Sequence, residues 1–208
     1  MPVETEIKFP VTDLADLARR LPAAGFHLET PRAFESNVLY DTRDRQMRSR
    51  TEILRIRNYA SRCTITHKRL VPDSQQGAAQ QGEASERDRS AERHKHRIET
   101  ETEVSNGDAM AEIFNSLGLA PAFRYEKWRT EWADGEGHCV VDETPIGNYA
   151  ELEGTPQWID RIAATLGVDH SEYITLSYGR LFDLWREQHP DCGEHLTFEA
   201  VARCVAKG

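Results

Sequence analysis

The sequence predicts an α+β protein in which strands with charged inner faces close into a barrel and helices pack on its outside. Three observations point that way. Several segments of the 208-residue chain alternate charged and apolar residues, the period of two that sends successive side chains to opposite faces of a strand. The faces opposite the charges are apolar: Val3, Ile7 and Phe9 in the first such segment, Ile98 and Val104 in another, Ala150 and Leu152 in a third. Other segments carry helical apolar stripes with no other evident partner, so the core is expected between sheet and helices, with charge left inside.

The elements follow in order. Val3–Phe9 alternates as a strand, with Glu4, Glu6 and Lys8 on one face. Thr12 to about Ala24 reads as a helix, N-capped by Thr12, with Leu14, Leu17, Ala18 and Leu21 as its stripe and Gly25 after its end. Residues 37–41, 52–59 and 62–70 read as strands. Residues 72–97 hold balanced acidic and basic charge and no large apolar residue, and are expected to be a disordered loop insertion. Strand alternation returns at 98–104, and Asp108–Leu117 reads as a helix with Met110, Ile113, Phe114 and Leu117 on one side. Strands follow at about 123–133, 137–143 and 148–154. Thr155-Pro156 is a cap followed by a proline at the first helical position, opening a helix that turns Ile159, Ile162, Ala163 and Leu166 inward. The segment 171–208 reads as a helical tail on the barrel, with Leu181, Leu184, Trp185, Phe198, Val201, Ala202 and Val205 as packing stripes.

A chain of this length carries one sizeable core, so residues 1–208 are expected to form one domain. The net charge of −9 argues against nucleic acid as a partner, while leaving room for a local cationic pocket. No apolar run approaches a membrane span, and the acidic strand at the start is unlike a signal peptide. Cys63, Cys139, Cys192 and Cys204 lie far apart without a C-x-x-C, and are expected to be reduced thiols of a cytoplasmic protein. His189, Cys192 and His195 have the spacing H-x2-C-x2-H, which is not a common zinc pattern, and are read as a polar turn between helices.

The charges come in blocks of one sign: Arg55 with Arg57, Lys127 with Arg129, Glu99 with Glu101 and Glu103, Glu151 with Glu153. Same-side neighbours on a strand are only about 7 Å apart, so such pairs repel unless something compensates them. A polyanion between the Arg and Lys walls and a divalent cation between the Glu walls would compensate both, a combination that suits a metal-bound triphosphate. Salt bridging across the barrel, with no ligand, is the alternative.

Glu4-x-Glu6-x-Lys8 resembles the signature of the CYTH family, the triphosphate tunnel metalloenzymes. The resemblance continues in the family's order through Leu39-Tyr40-Asp41-Thr42, Leu54-Arg55-Ile56-Arg57, Thr64–Lys68, Glu99-Thr100-Glu101, Lys127-Trp128-Arg129, Val141-Asp142 and Ile146–Glu153, covering about residues 3–180. It implies an eight-stranded antiparallel β-barrel forming a triphosphate tunnel. It also implies that Lys8, Arg55, Arg57, Lys68, Lys127 and Arg129 bind the triphosphate. Glu4, Glu6, Asp142, Glu151 and Glu153 would hold Mg²⁺ or Mn²⁺, with Glu99 and Glu101 in the acidic wall. Glu4, Glu6 and Lys8 are the candidate catalytic residues. The Ser177-Tyr178 segment resembles the class IV adenylyl cyclase-like branch, which implies conversion of ATP to cyclic AMP and pyrophosphate. Hydrolysis of inorganic, thiamine or nucleoside triphosphate is the alternative, and a non-catalytic triphosphate- or polyphosphate-binding module is the second. The resemblance further implies a small-molecule partner and makes a homodimer plausible.

Overall fold

A computed structural model describes residues 3–70 and 95–206, with side chains from Thr5 to Leu70 and from Arg97 to Ala206. Eight strands form a closed barrel in the order β1-β5-β4-β3-β2-β6-β7-β8, with β8 returning to β1. They are β1 (Val3–Pro10), β2 (His27–Asp41), β3 (Ile53–Tyr59), β4 (Arg62–Leu70), β5 (Lys95–Glu103), β6 (Ala120–Ala133), β7 (His138–Thr144) and β8 (Gly147–Glu153). Every neighbouring pair is antiparallel. Closure removes sheet edges and gives each strand one inner and one outer face. The helices are α1 (Leu14–Ala23), α2 (Gln46–Ser49), α3 (Gly107–Ser116), α4 (Pro156–Thr165), α5 (Tyr178–Glu187) and α6 (Phe198–Val205), with a 3₁₀ turn at His170–Glu172.

The largest departure from the sequence reading is β2. Its final residues, 37–41, read as a strand, but pairing with β6 extends it back to His27. Pro31 and two register shifts, between Leu28 and Thr30 and between Thr30 and Ala33, interrupt the alternation that would have disclosed it. The cap of α1 is Asp13 rather than Thr12, its carboxylate accepting the Asp16 amide at 2.9 Å. Thr155 caps α4 as its sequence suggests. The expected loop over 72–97 lies outside the described residues up to 94, and its last three residues open β5.

The main core lies outside the barrel. Ile7 and Phe9 of β1, Cys139 and Val141 of β7, and Ala150 and Leu152 of β8 meet Leu17 and Leu21 of α1 and Trp158, Ile159, Ile162 and Ala163 of α4. Ile7, Leu152 and Ile159 are fully buried, each contributing roughly 1.5–3 kcal/mol. The Trp158 indole Nε1 donates to Asp134 at 2.8 Å. A Cβ at Gly137 would stand 2.7 Å from the Glu153 carbonyl oxygen and 2.8 Å from the Trp158 ring. Gly137→Ala should therefore destabilise the fold by about 1–3 kcal/mol, read from urea unfolding midpoints. A second cluster places Phe114 of α3 on Tyr40 and Ile56, leaving Ile113 and Leu117 exposed.

The tail is less uniformly helical than its composition suggests. Residues 173–177 run extended, and Ile174 exchanges two backbone hydrogen bonds with Lys8 of β1, at 3.0 and 2.7 Å. Helix α5 starts at the Ser177 cap and buries Tyr178 and Phe182 against Tyr125 and Phe123 of β6. A non-helical turn then carries Leu196 alongside β6, where it bonds to Arg124 and Glu126. Leu184 and Val205, expected in packing stripes, are exposed. Cys192 and Cys204 form a disulfide with Cα atoms 5.2 Å apart, so they are not the reduced thiols expected from sequence. They stand twelve positions apart in sequence, and the fold of the turn back onto α6 brings them together. No helix among the described residues is long and apolar enough to cross a membrane.

Candidate functional site

The barrel encloses a cavity of about 940 Å³. Its wall includes Glu6, Lys8, Arg55, Arg57, Lys68, Glu99, Glu101, Lys127, Arg129, Glu151 and Glu153. These residues are scattered from β1 to β8, and strand register brings them together. Lys8 stands opposite Glu151 and Glu6 opposite Glu153; Lys68 faces Glu99, Arg55 faces Thr66, and Thr66 faces Glu101. Of the candidate set, Asp142 is absent from the cavity wall, and the side chain of Glu4 lies outside the described residues.

A dense ion-pair network underlies the cationic wall. Asp142 has no exposure. One of its oxygens accepts from Arg129 Nε at 2.8 Å. The other accepts from Arg129 Nη2 at 2.7 Å, Lys127 at 2.8 Å and the Tyr178 hydroxyl at 2.7 Å. Glu151 pairs with Lys8 and, at 2.8 Å, with Arg129. Glu35 lies ahead of the 37–41 segment that the sequence marks as a strand, and its place in the site follows from its pairing with Lys127 of β6. It too is fully buried, accepting from Asn37 at 2.8 Å and Arg57 at 3.0 Å, with Lys127 and Arg129 each at 3.5 Å. Salt bridging across the barrel is thus present, and it coexists with a large cavity.

Burial alone would push the Glu35 carboxyl up, but Lys127, Arg129, Arg57 and Arg55 hold it well below the usual carboxylate range. The same contest, between burial and Lys8, Lys127 and Arg129, depresses Glu151. Burial opposes the charge on Lys8, yet Glu151, Glu6 and Asp142 raise its pKa. A carboxylate whose folded pKa is depressed stabilises the fold above its unfolded pKa, near 4.3 for glutamate, and loses that contribution as pH falls through the folded value. Glu35→Gln should therefore be less stable than the parent at neutral pH, with the difference shrinking as the solution is acidified below about pH 4. Urea unfolding across pH checks this, and a constant difference would contradict it.

Arg55 stands apart from the other cations. Its two terminal nitrogens donate to the hydroxyls of Tyr125 and Thr66, both at 3.0 Å, and its closest carboxylate is Glu101 at 3.7 Å. Its Nε is buried with no hydrogen-bond partner among the described residues. Its terminal nitrogens are held by hydroxyls rather than carboxylates, which leaves the guanidinium able to pair with an anion in the cavity.

At the acidic wall, burial raises the Glu153 pKa, and although Lys68 opposes the shift, Glu6 and Glu99 reinforce it. Crowded carboxylates of this kind suit a hard divalent cation with oxygen ligands, such as Mg²⁺ or Mn²⁺. No group of three metal-ligating side chains is already drawn together among the described residues. Tyr125 and Tyr178 also line the cavity, as do Leu39, Leu54, Phe123, Leu176 and the cations Arg45, Arg48, Arg180 and Arg186. Six of these ten come from helices and loops, where no strand alternation marks the residues that face the cavity.

Comparison with known proteins accords with this architecture. The CYTH domain family model matches residues 2–157. Three solved structures share the fold. A candidate adenylate cyclase from Vibrio parahaemolyticus has a TM-score of 0.68 at 15% identity, covering 86% of this chain and 97% of its own. The PH1819 protein of Pyrococcus horikoshii also scores 0.68, at 20% identity, covering 88% and 99% respectively. HpAC1 from Hippeastrum, described as having a dominant triphosphatase activity, scores 0.53 at 18% identity, covering 89% and 96%. No curated protein matches the chain.

Proposed function

Because the chain belongs to the CYTH family, we propose that it is a divalent-metal-dependent enzyme that binds a small-molecule triphosphate in the barrel. The favoured reaction is conversion of ATP to cyclic AMP and pyrophosphate. The observation that carries triphosphate binding is the inward convergence of Lys8, Arg55, Arg57, Lys68, Lys127 and Arg129 from four strands on one cavity. Arg55, whose terminal nitrogens are held by hydroxyls rather than carboxylates, is the leading contact for a phosphate oxygen.

Glu4, Glu6 and Glu153 would hold Mg²⁺ or Mn²⁺, with Glu99 beside them. Glu151 and Asp142 take a different role in this assignment: their oxygens already bind Lys8, Lys127 and Arg129, so they orient the phosphate-binding cations. The bound metal would offset charge on the phosphate oxygens and orient them. The Lys and Arg side chains fix the chain of phosphates and favour charge developing on the leaving group. In the cyclase, the ribose 3′-oxygen attacks the α-phosphorus, its proton departs to solvent or a carboxylate, and the bond to pyrophosphate breaks. The apolar lining from Leu39, Leu54, Phe123 and Leu176 supports a substrate with an organic part. The preponderance of charged side chains on the wall supports a second reading, a triphosphatase, in which water attacks the terminal phosphorus and orthophosphate is released.

Purified protein should be incubated with ATP, inorganic triphosphate and thiamine triphosphate, each with Mg²⁺ or Mn²⁺, and the products identified. Cyclic AMP with pyrophosphate is expected from ATP. Orthophosphate without cyclic AMP would replace the cyclase by the triphosphatase. Turnover of none of the three, with triphosphate still bound, would leave a binding module.

A further inference from the structure

Tyr178 lies outside every charged strand, yet it sits among the phosphate-binding cations. It is the first residue of α5 and is 7% exposed. Its ring lies beneath two ammonium groups, Lys8 Nζ at 4.3 Å and Lys127 Nζ at 4.7 Å from the centroid. Its hydroxyl donates to Asp142 at 2.7 Å, the carboxylate that also holds Lys127 and Arg129. Tyr125 and Tyr149 pack against the ring with centroids 6.2 and 5.8 Å away. The position is fixed from both sides along the chain. The Ser177 side chain caps α5, and four residues upstream of Tyr178 Ile174 is hydrogen-bonded to the backbone of Lys8 itself.

Two ammonium groups of like charge over one aromatic ring are favoured by its negative face and brought together by it. Burial, followed by the nearby Asp142 and Glu151 carboxylates, raises the Tyr178 phenol pKa well above its ordinary value, so the hydroxyl remains a donor. We propose that Tyr178 is a positioning residue of the triphosphate clamp, its ring setting the places of Lys8 and Lys127 and its hydroxyl holding Asp142 against Arg129. The C-terminal helix thereby becomes part of the site rather than only a cover over the barrel. This assignment rests on the triphosphate reading of the cavity.

Nuclear magnetic resonance of the full chain tests the placement without any variant. The ε-methylene protons of Lys8 and Lys127 should be shifted upfield by the ring current of Tyr178, and resonances at ordinary lysine positions would overturn the proposal. Calorimetric titration with inorganic triphosphate and Mg²⁺ tests the role. Tyr178→Phe keeps the ring and should bind within about threefold of the parent. Tyr178→Leu removes the ring and should bind about tenfold more weakly. Parental binding with unchanged affinity in Tyr178→Leu, even alongside a lower melting temperature, would overturn the positioning role alone. Absence of triphosphate binding by the parent would overturn the proposed function, and the clamp role with it. Should Tyr178→Leu fail to fold, a loss in Tyr178→Phe well beyond threefold would also count against a role carried chiefly by the ring.

Discussion

Replacing Arg129 with methionine is expected to destabilise the protein by about 3–5 kcal/mol, the cost typical of removing one partner from a buried ion pair. Arg129 is 8% exposed. Its guanidinium spans both oxygens of Asp142, reaches Glu151 at 2.8 Å and stands 3.5 Å from Glu35. Methionine approximates the volume but returns none of the charge. Asp142 would keep Lys127 and Tyr178, Glu151 would keep Lys8, and Glu35 would keep Arg57 and Lys127, so the network would be left with excess buried negative charge. Urea unfolding measures the loss. Adding Asp142→Asn to Arg129→Met should recover part of it, since the coupled partner is then neutral. A single-variant loss under about 1 kcal/mol, as expected for an exposed pair, would show that the network is far better solvated than its burial implies.

Arg55→Ala should have the opposite balance: a small effect on the fold and a large one on the ligand. Its direct partners are two hydroxyls, Tyr125 and Thr66, and Thr66 also donates to Glu101 at 2.6 Å. Those groups retain other ways of being satisfied, so the stability loss should be about 1–2 kcal/mol. Charge-assisted hydrogen bonds contribute about 1.5–3 kcal/mol each, and losing one or two of them to a phosphate would weaken binding of inorganic triphosphate about 100-fold. Calorimetric titration beside urea unfolding separates the two quantities. Arg55→Lys should recover only part of the affinity, because an ammonium cannot make the bidentate contact. Parental affinity in Arg55→Ala would remove Arg55 from the clamp.

Arg129 and Arg55 look alike in sequence, each belonging to a pair of cations spaced two residues apart on a strand. The structure divides them by their neighbours. Arg129 lies across β6 and β7 from Asp142 and is occupied by carboxylates. Arg55 lies opposite Thr66 on β4 and Leu39 on β2, and meets hydroxyls. The same division separates the acidic residues. Asp142 and Glu151 are enclosed by cations, whereas Glu153 feels Glu6 and Glu99 as well as Lys68. One-dimensional spacing gives the sign of a charge and the face it occupies. It does not give the register of the strand on either side, and register chooses the partner.

Alternation along β1, β3, β5 and β8 determined which faces are charged, and the apolar stripes of α1 and α4 determined that the core would lie outside the sheet. Both follow from periodicity, which is local: the positions of side chains along one strand or helix are set by backbone geometry alone. The N-terminal half of β2, the buried Glu35, the extended stretch holding Ile174 to Lys8 and the seat of Tyr178 under two lysines were decided only by tertiary structure. Each depends on contacts between residues remote in sequence. Glu35 meets Lys127 through β2 and β6 pairing, and Tyr178 meets Lys8 through the docking of a helix 170 positions further along the chain. Closure of the barrel makes these contacts simultaneous, and no local pattern encodes closure.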